Sequence, residues 1–177
     1  MRLEELLDTR IRTIPDWPSP GVQFRDIMPL LADPEGIASC VSGLRNLMVD
    51  AGFVDVHAVA GIEARGFILG SALAADLGVG FVAVRKAGKL PGSVLSQTYD
   101  LEYGTSTLEV QTDILLEGAR VVLVDDVLAT GGTAVAAAQL LHRVGAEVVG
   151  LIALLELQAL GGRDRATGVR IETIRQI

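Results

Sequence analysis

The chain has 177 residues, half of them hydrophobic, enough for one domain whose core needs no metal or disulfide staple. Cys40 is the single cysteine, which excludes an intrachain disulfide framework and a cysteine-built zinc site and points to a reducing compartment, the cytoplasm. The formal charge of −7, from 15 Lys and Arg against 22 Asp and Glu, argues against general nucleic-acid binding, which requires a basic stripe.

From Leu3 to Ile14, Leu3, Leu7, Ile11 and Ile14 recur at helical spacing, and Pro15 stops the pattern. The charges among these leucines rule against a signal peptide, and no stretch approaches the ~18 apolar residues of a membrane span. Pro18, Pro20 and Gly21 make residues 15–26 a loop leading into VQFRDI. Asp33 caps a helix with Pro34 in its first turn; its apolar stripe is Ile37, Val41, Leu44, Met48 and Ala51, and Gly52 ends it.

The period then changes. Val54–Val59 reads as a strand, GIEARG as a turn, Phe67–Leu77 as a helix and Phe81–Val84 as a strand. Further on, Arg120–Val124 reads as a strand, DDVLATGG as a loop, Thr133–Val144 as an Ala-rich helix and Glu147–Leu155 as a strand. Continuously apolar strands alternating with helices predict a single α/β domain over 1–177, a mostly parallel sheet flanked by helices. Residues 87–103 interrupt the rhythm with Gly, Pro, hydroxyls and weak periodicity, before a strand at Thr107–Gln111. A mobile active-site cover is the preferred reading and an antiparallel hairpin the alternative.

The chemistry concentrates in VVLVDDVLATGGT, residues 121–133. Asp125 and Asp126 stand where a buried parallel strand ends, able to accept hydrogen bonds from a diol or to orient a hydrated Mg²⁺. Ala129, Thr130, Gly131, Gly132 and Thr133 place small residues, hydroxyls and converging amides at a helix N-terminus, a seat for a phosphate monoester. No lysine follows Gly132, which excludes the nucleoside-triphosphatase phosphate loop, and acids replace the glycines of a dinucleotide fingerprint. Between Asp76 and Asp100 there is no acid, and Arg85, Lys86 and Lys89 fall in that gap, including both lysines of the chain. A small polyanion suits such a cluster.

Together with PGVQFRDIMPLL, GIEARGF, VAVRKAGKLPG and YDLEYGTSTLEVQ, in that order along nearly the whole chain, this motif resembles the adenine phosphoribosyltransferases of the type I phosphoribosyltransferase family. The resemblance implies that family's fold, a base-binding hood over about residues 1–30, a flexible loop over about 87–103, and a homodimer. It implies that adenine and phosphoribosyl pyrophosphate give AMP and pyrophosphate, with Mg²⁺ held through substrate and water and no direct protein ligand. Ala129–Thr133 would hold the 5′-phosphate, and Asp125 and Asp126 the ribose diol. Ala64, Arg65, Arg85, Lys86 and Lys89 would meet pyrophosphate, with Tyr103 bridging to it. The resemblance leaves Arg85 serving either its own or the neighbouring subunit's site. Val22, Phe24, Arg25 and Val127 would enclose adenine, and Glu102 would handle its N7/N9 proton as the catalytic acid–base. A transferase of this fold acting on another base such as xanthine, and a DNA-binding regulator retaining the ligand site, are the alternatives. The regulator would need an added winged helix, for which the roughly 30 residues before the first α/β unit leave little room.

Overall fold

The computed structural model describes residues 2–100 and 104–177, which fall into two units, residues 1–43 and 44–177. The first contains α1 (Leu3–Arg10), β1 (Arg12–Pro15), β2 (Gln23–Asp26), the single turn α2 (Met28–Leu31) and the start of α3 (Pro34–Asp50). The helix expected to reach Ile14 stops at Arg10. Beyond it the chain pairs antiparallel with β2, Arg12 opposite Asp26 and Ile14 opposite Phe24, and Arg12 bonds the Asp26 carboxylate at 2.5 Å. Thr13 and Ile14 are β-branched and fit a pleated ribbon, so cross-strand pairing overrides their helical spacing. The same ribbon converts part of the expected 15–26 loop into strand. Asp33 caps α3 as expected, its Oδ1 accepting from the N–H of Glu35 at 2.9 Å. Cys40 is buried, and burial pushes its thiol up to about 11.

The second unit continues from α3 through β3 (Ala58–Ile62), α4 (Arg65–Leu77), β4 (Gly80–Lys86), β5 (Val94–Asp100), β6 (Thr105–Gln111) and β7 (Arg120–Leu128). It ends with α5 (Gly132–Arg143), β8 (Glu147–Glu156), a 3₁₀ turn at Gln158–Leu160, α6 (Gly162–Arg165) and β9 (Ile171–Gln176). The sheet runs β5-β6-β4-β3-β7-β8-β9. β4, β3, β7, β8 and β9 are parallel to one another, and the β5–β6 pair adds antiparallel onto the end of β4. The mostly parallel α/β class is therefore as the sequence reads. The crossovers β3-α4-β4 and β7-α5-β8 step in opposite directions along the sheet, so right-handed connections put α4 and α5 on opposite faces. That covering explains why every residue of β3 and Val121–Val124 of β7 are buried.

Two expectations change here. The strand expected at Val54–Val59 begins at Ala58, and Val54 is exposed. The 87–103 segment is not without structure: the described part of it from Val94 onward pairs residue for residue with β6, Val94 opposite Gln111 and Asp100 opposite Thr105. The described residues 94–100 thus form a strand of the hairpin given as the alternative. β5 escapes notice in the sequence because its burial runs between half-buried and exposed, with no fully buried position to mark a face.

Candidate active site

β3 and β7 are sheet neighbours whose following helices leave in opposite directions, which opens a crevice beyond their carboxyl ends. Two short segments meet there: Glu63, Ala64 and Arg65 after β3, and Asp125–Thr133 at the end of β7. Glycines let them approach. A Cβ on Gly66 would lie 2.6 Å from the Val124 carbonyl oxygen, and one on Gly61 2.5 Å from that of Gly66. The N-terminus of α4 thus packs directly on the strand ends, with Ala64 as its N-cap and Arg65 its first residue, and Arg65 Nε donates to Asp126 Oδ2.

Asp125, Asp126 and Val127 do not lie in a loop, as expected, but in β7, where Asp125 pairs with Ala153 and Val127 with Leu155 of β8. The loop shrinks to residues 129–131. Buried Asp126 takes Arg65, while half-buried Asp125 lines a small cavity beside it. Asp125 Oδ1 accepts the Asp126 N–H at 2.9 Å. Burial, and then the charge of Asp126, push the Asp125 carboxyl well above its ordinary range, with Arg65 offsetting part of the effect. This pair favours the arrival of a cation or of hydroxyl donors, which would relieve the repulsion.

The small cavity, about 70 Å³, is bounded by Asp125, Val127, residues 128–131 and Thr133. Gly131 is the N-cap of α5 at φ +83°, Gly132 and Thr133 are its first residues, and the opening amides of a helix have no partner within it. Those amides, the positive helix end and two threonine hydroxyls are fitted to a small dianion. Behind the loop lies Gly162: a Cβ on Gly131 would overlap its carbonyl oxygen, so the two backbones touch. The hairpin reaches the same place. Tyr99 OH is 3.3 Å from the Thr133 hydroxyl, and a Cβ on Gly132 would lie 3.2 Å from the Asp100 carbonyl oxygen. A wider depression of about 600 Å³ borders the loop on the hairpin side, but neither acid lines it.

Arg85 and Lys86 end β4, and Lys89 follows in the turn. All three converge on Glu63, to which the sequence analysis gave no role. Its Oε2 accepts the Lys86 N–H at 2.9 Å and faces Arg85 Nε at 3.4 Å, and its Oε1 is 2.5 Å from Lys89 Nζ. Burial by itself would raise the Glu63 carboxyl. The hydrogen bonds from Lys89 and the Lys86 amide, with the charges of Lys89 and Arg85, outweigh it and hold the group below the ordinary glutamate range.

A second unforeseen acid steadies the 129–131 loop. Buried Glu156, at the end of β8, receives Arg163 Nη2 at 2.7 Å and the Thr173 hydroxyl at 3.0 Å, and Arg163 Nη1 also donates to the Ile171 carbonyl. This brace fixes α6, whose Gly162 backs the loop. Arg163→Met strands a buried carboxylate and is expected to cost about 2 kcal/mol, less than a fully buried pair because the guanidinium is partly exposed. Arg163 above all, then Thr173, holds the Glu156 carboxyl below its ordinary range against the opposing effect of burial. Its stabilisation is therefore present above the unfolded value of about 4.3 and lost as pH falls through the lower folded one. Denaturant unfolding from pH 7 downward should show R163M with a flatter acid limb than wild type; an unchanged limb would remove the brace from the stability account.

In the first unit, Phe24 meets Trp17 edge-on at 4.3 Å between ring centres, Arg25 bonds the Thr13 hydroxyl, and Val22 is exposed. Glu102 and Tyr103 lie outside the described residues. Among the described residues no group of three His, Cys, Asp or Glu could hold a metal, and no helix is long and apolar enough to cross a membrane. Only proximity in sequence to Arg65 could have flagged Glu63, whereas Glu156 and Arg163 carry no recognisable spacing.

The phosphoribosyl transferase domain family matches residues 38–176. An adenine phosphoribosyltransferase of Streptomyces avermitilis is 52% identical over 100% of this chain and 98% of its own length. The crystal structure of adenine phosphoribosyltransferase from Thermoanaerobacter pseudethanolicus superposes with a TM-score of 0.93 at 45% identity, covering 99% of both chains. That of the Saccharomyces cerevisiae enzyme, complexed with an imino-altritol bisphosphate and adenine, superposes with a TM-score of 0.90 at 35% identity, covering 97% of both. The chain is therefore a member of the adenine phosphoribosyltransferases, within the type I phosphoribosyltransferase family.

Proposed function

We propose that this chain transfers the 5-phosphoribosyl group of phosphoribosyl pyrophosphate to N9 of adenine, releasing pyrophosphate and forming AMP. The observation that carries the reading is the meeting, in one crevice, of the acid pair and phosphate-type loop of β7 with the Glu63–Arg65 segment after β3. A phosphorylated sugar bearing a second phosphate group needs both halves.

In this reading the 5′-phosphate binds the amides of Thr130–Thr133 and the threonine hydroxyls, and Asp125 and Asp126 accept the ribose hydroxyls. Arg65, Arg85, Lys86 and Lys89, with the Ala64 backbone, take the pyrophosphate and stabilise the charge that collects on it as the C1′–O bond breaks. Val22, Phe24, Arg25 and Val127 enclose the base, and Glu102 takes the imidazole proton while N9 bonds to C1′. Residues 87–103, with Tyr103 reaching the leaving group, exclude water that would otherwise accept the ribosyl group. The oxygen-only donors Asp125 and Asp126 suit Mg²⁺, which would neutralise pyrophosphate charge while held mainly by substrate oxygens and water. A homodimer belongs to the same reading.

Ala129 leaves the loop without the acid found at that place in enzymes for 6-oxopurines, so discrimination rests on a base pocket that reads an amine. Adenine is expected to exceed hypoxanthine, guanine and xanthine in kcat/KM by at least about a hundredfold, the scale set by mispaired polar groups in a closed pocket. Chromatographic rates with each base, phosphoribosyl pyrophosphate and Mg²⁺ test this; comparable turnover of guanine would overturn the assignment of adenine.

A further inference from the structure

Glu63 is a half-buried carboxylate that the transfer mechanism leaves unused, and it sits where an anion belongs. Its side chain is 10% exposed, while those of Arg85 and Lys89, which it binds, are 33% and 46% exposed. The carboxylate lies under the cluster and the cations face outward. It also takes the Lys86 amide, so side-chain and backbone donors of the same stretch, 85–89, are satisfied from within the chain. Arg65, two residues on, is engaged with Asp126; Glu63 takes side-chain donors from both the β4 end and its turn, while Glu109 takes the Gly88 amide.

We propose that Glu63 is an internal stand-in for pyrophosphate: it keeps Arg85, Lys86 and Lys89 gathered while the site is empty, and competes for them when the polyanion is bound. The proposal rests on the assignment of pyrophosphate to this cluster. A carboxylate that had only a scaffolding duty would aid pyrophosphate binding by holding its donors in place. A stand-in does the opposite. When Lys89 and the Lys86 amide turn to pyrophosphate, Glu63 loses its partners and remains as a like charge a few ångströms from the ligand, weakening binding and hastening release. Glu63 is then a positioning residue that tunes product departure, and its effect falls on affinity with a sign opposite to that of a scaffold.

The test is calorimetric binding of pyrophosphate with Mg²⁺ to wild type, Glu63→Gln and Glu63→Asp, with AMP as the control ligand on the phosphate loop. E63Q is expected to bind pyrophosphate about 5- to 30-fold more tightly, consistent with removing one nearby like charge in a partly solvated site. AMP affinity should stay within about twofold, because AMP carries no group to this cluster. In steady state, KM for phosphoribosyl pyrophosphate and kcat should both fall, the pattern of tightened binding with slowed release. E63D keeps the charge and is expected to stay close to wild type, which also serves should E63Q fold poorly: tight binding by E63D would count against the charge argument. Weaker or unchanged pyrophosphate binding by folded E63Q overturns the proposal and leaves Glu63 a scaffold. Failure of wild type itself to bind pyrophosphate, with AMP binding intact, would instead overturn the assignment of the cluster.

Discussion

Gly131→Ala is expected to abolish measurable AMP affinity, by a factor of at least about 100, and to cost roughly 3 kcal/mol or more of stability. Two effects combine at this position. Gly131 sits at φ +83°, where an L side chain is strained, and its Cβ would overlap the carbonyl oxygen of Gly162. The second effect is the larger, because the obstacle is backbone that cannot rotate away. Gly162 is itself pinned by α6, and the Arg163–Glu156 brace stops that segment from yielding. The only relief is displacement of residues 129–132, which carries the amides at the start of α5 away from their common focus. Gly168→Ala supplies the control: φ is again +83°, with no heavy atom within 4 Å, so it should cost only about 1 kcal/mol. Denaturant unfolding and AMP calorimetry of both variants separate conformational from steric cost. Equal behaviour of the two would show that the contact with Gly162 does not shape the loop.

Glu102→Ala is expected to lower the single-turnover rate by about 10² to 10⁴ while affinity for phosphoribosyl pyrophosphate changes only a few-fold. Neutral adenine carries a proton on its imidazole that must leave as N9 bonds to C1′, and a carboxylate directed at that edge accepts it. Glu102→Gln preserves size and loses the acceptor charge, so it should be nearly as slow if proton removal is the function. Recovery in E102Q but not E102A would assign Glu102 to orienting the base. The hairpin strand that ends at Asp100 has its last residues against Gly132 and Thr133. A near-wild-type single-turnover rate in E102A would reduce it to a loop residue and shift proton handling to another group.

The sequence by itself determined the elements whose cause is local. Apolar runs made β3, β4, β7 and β8 legible as strands, Asp33 and Pro34 marked the start of α3, and acids followed by small residues and hydroxyls marked 121–133 as a candidate ligand segment. A gap in acidic residues was enough to isolate Arg85, Lys86 and Lys89. What depended on partners was not legible. Thr13 and Ile14 became strand because β2 lies opposite, against the helical spacing that reaches Ile14, and residues 94–100 because β6 does, with no decisive period of their own. The acid pair stayed within β7 because β8 continues to supply its hydrogen bonds past Val124. Only the tertiary structure brought Arg65 to Asp126 and Glu63 to Arg85 and Lys89, since these pairs are joined by strand order at a switch point and not by any spacing along the chain. It likewise decided why Gly66 and Gly131 must be glycine: the backbone each meets, Val124 or Gly162, is distant in sequence, and the contact arises when the sheet closes around its crevice.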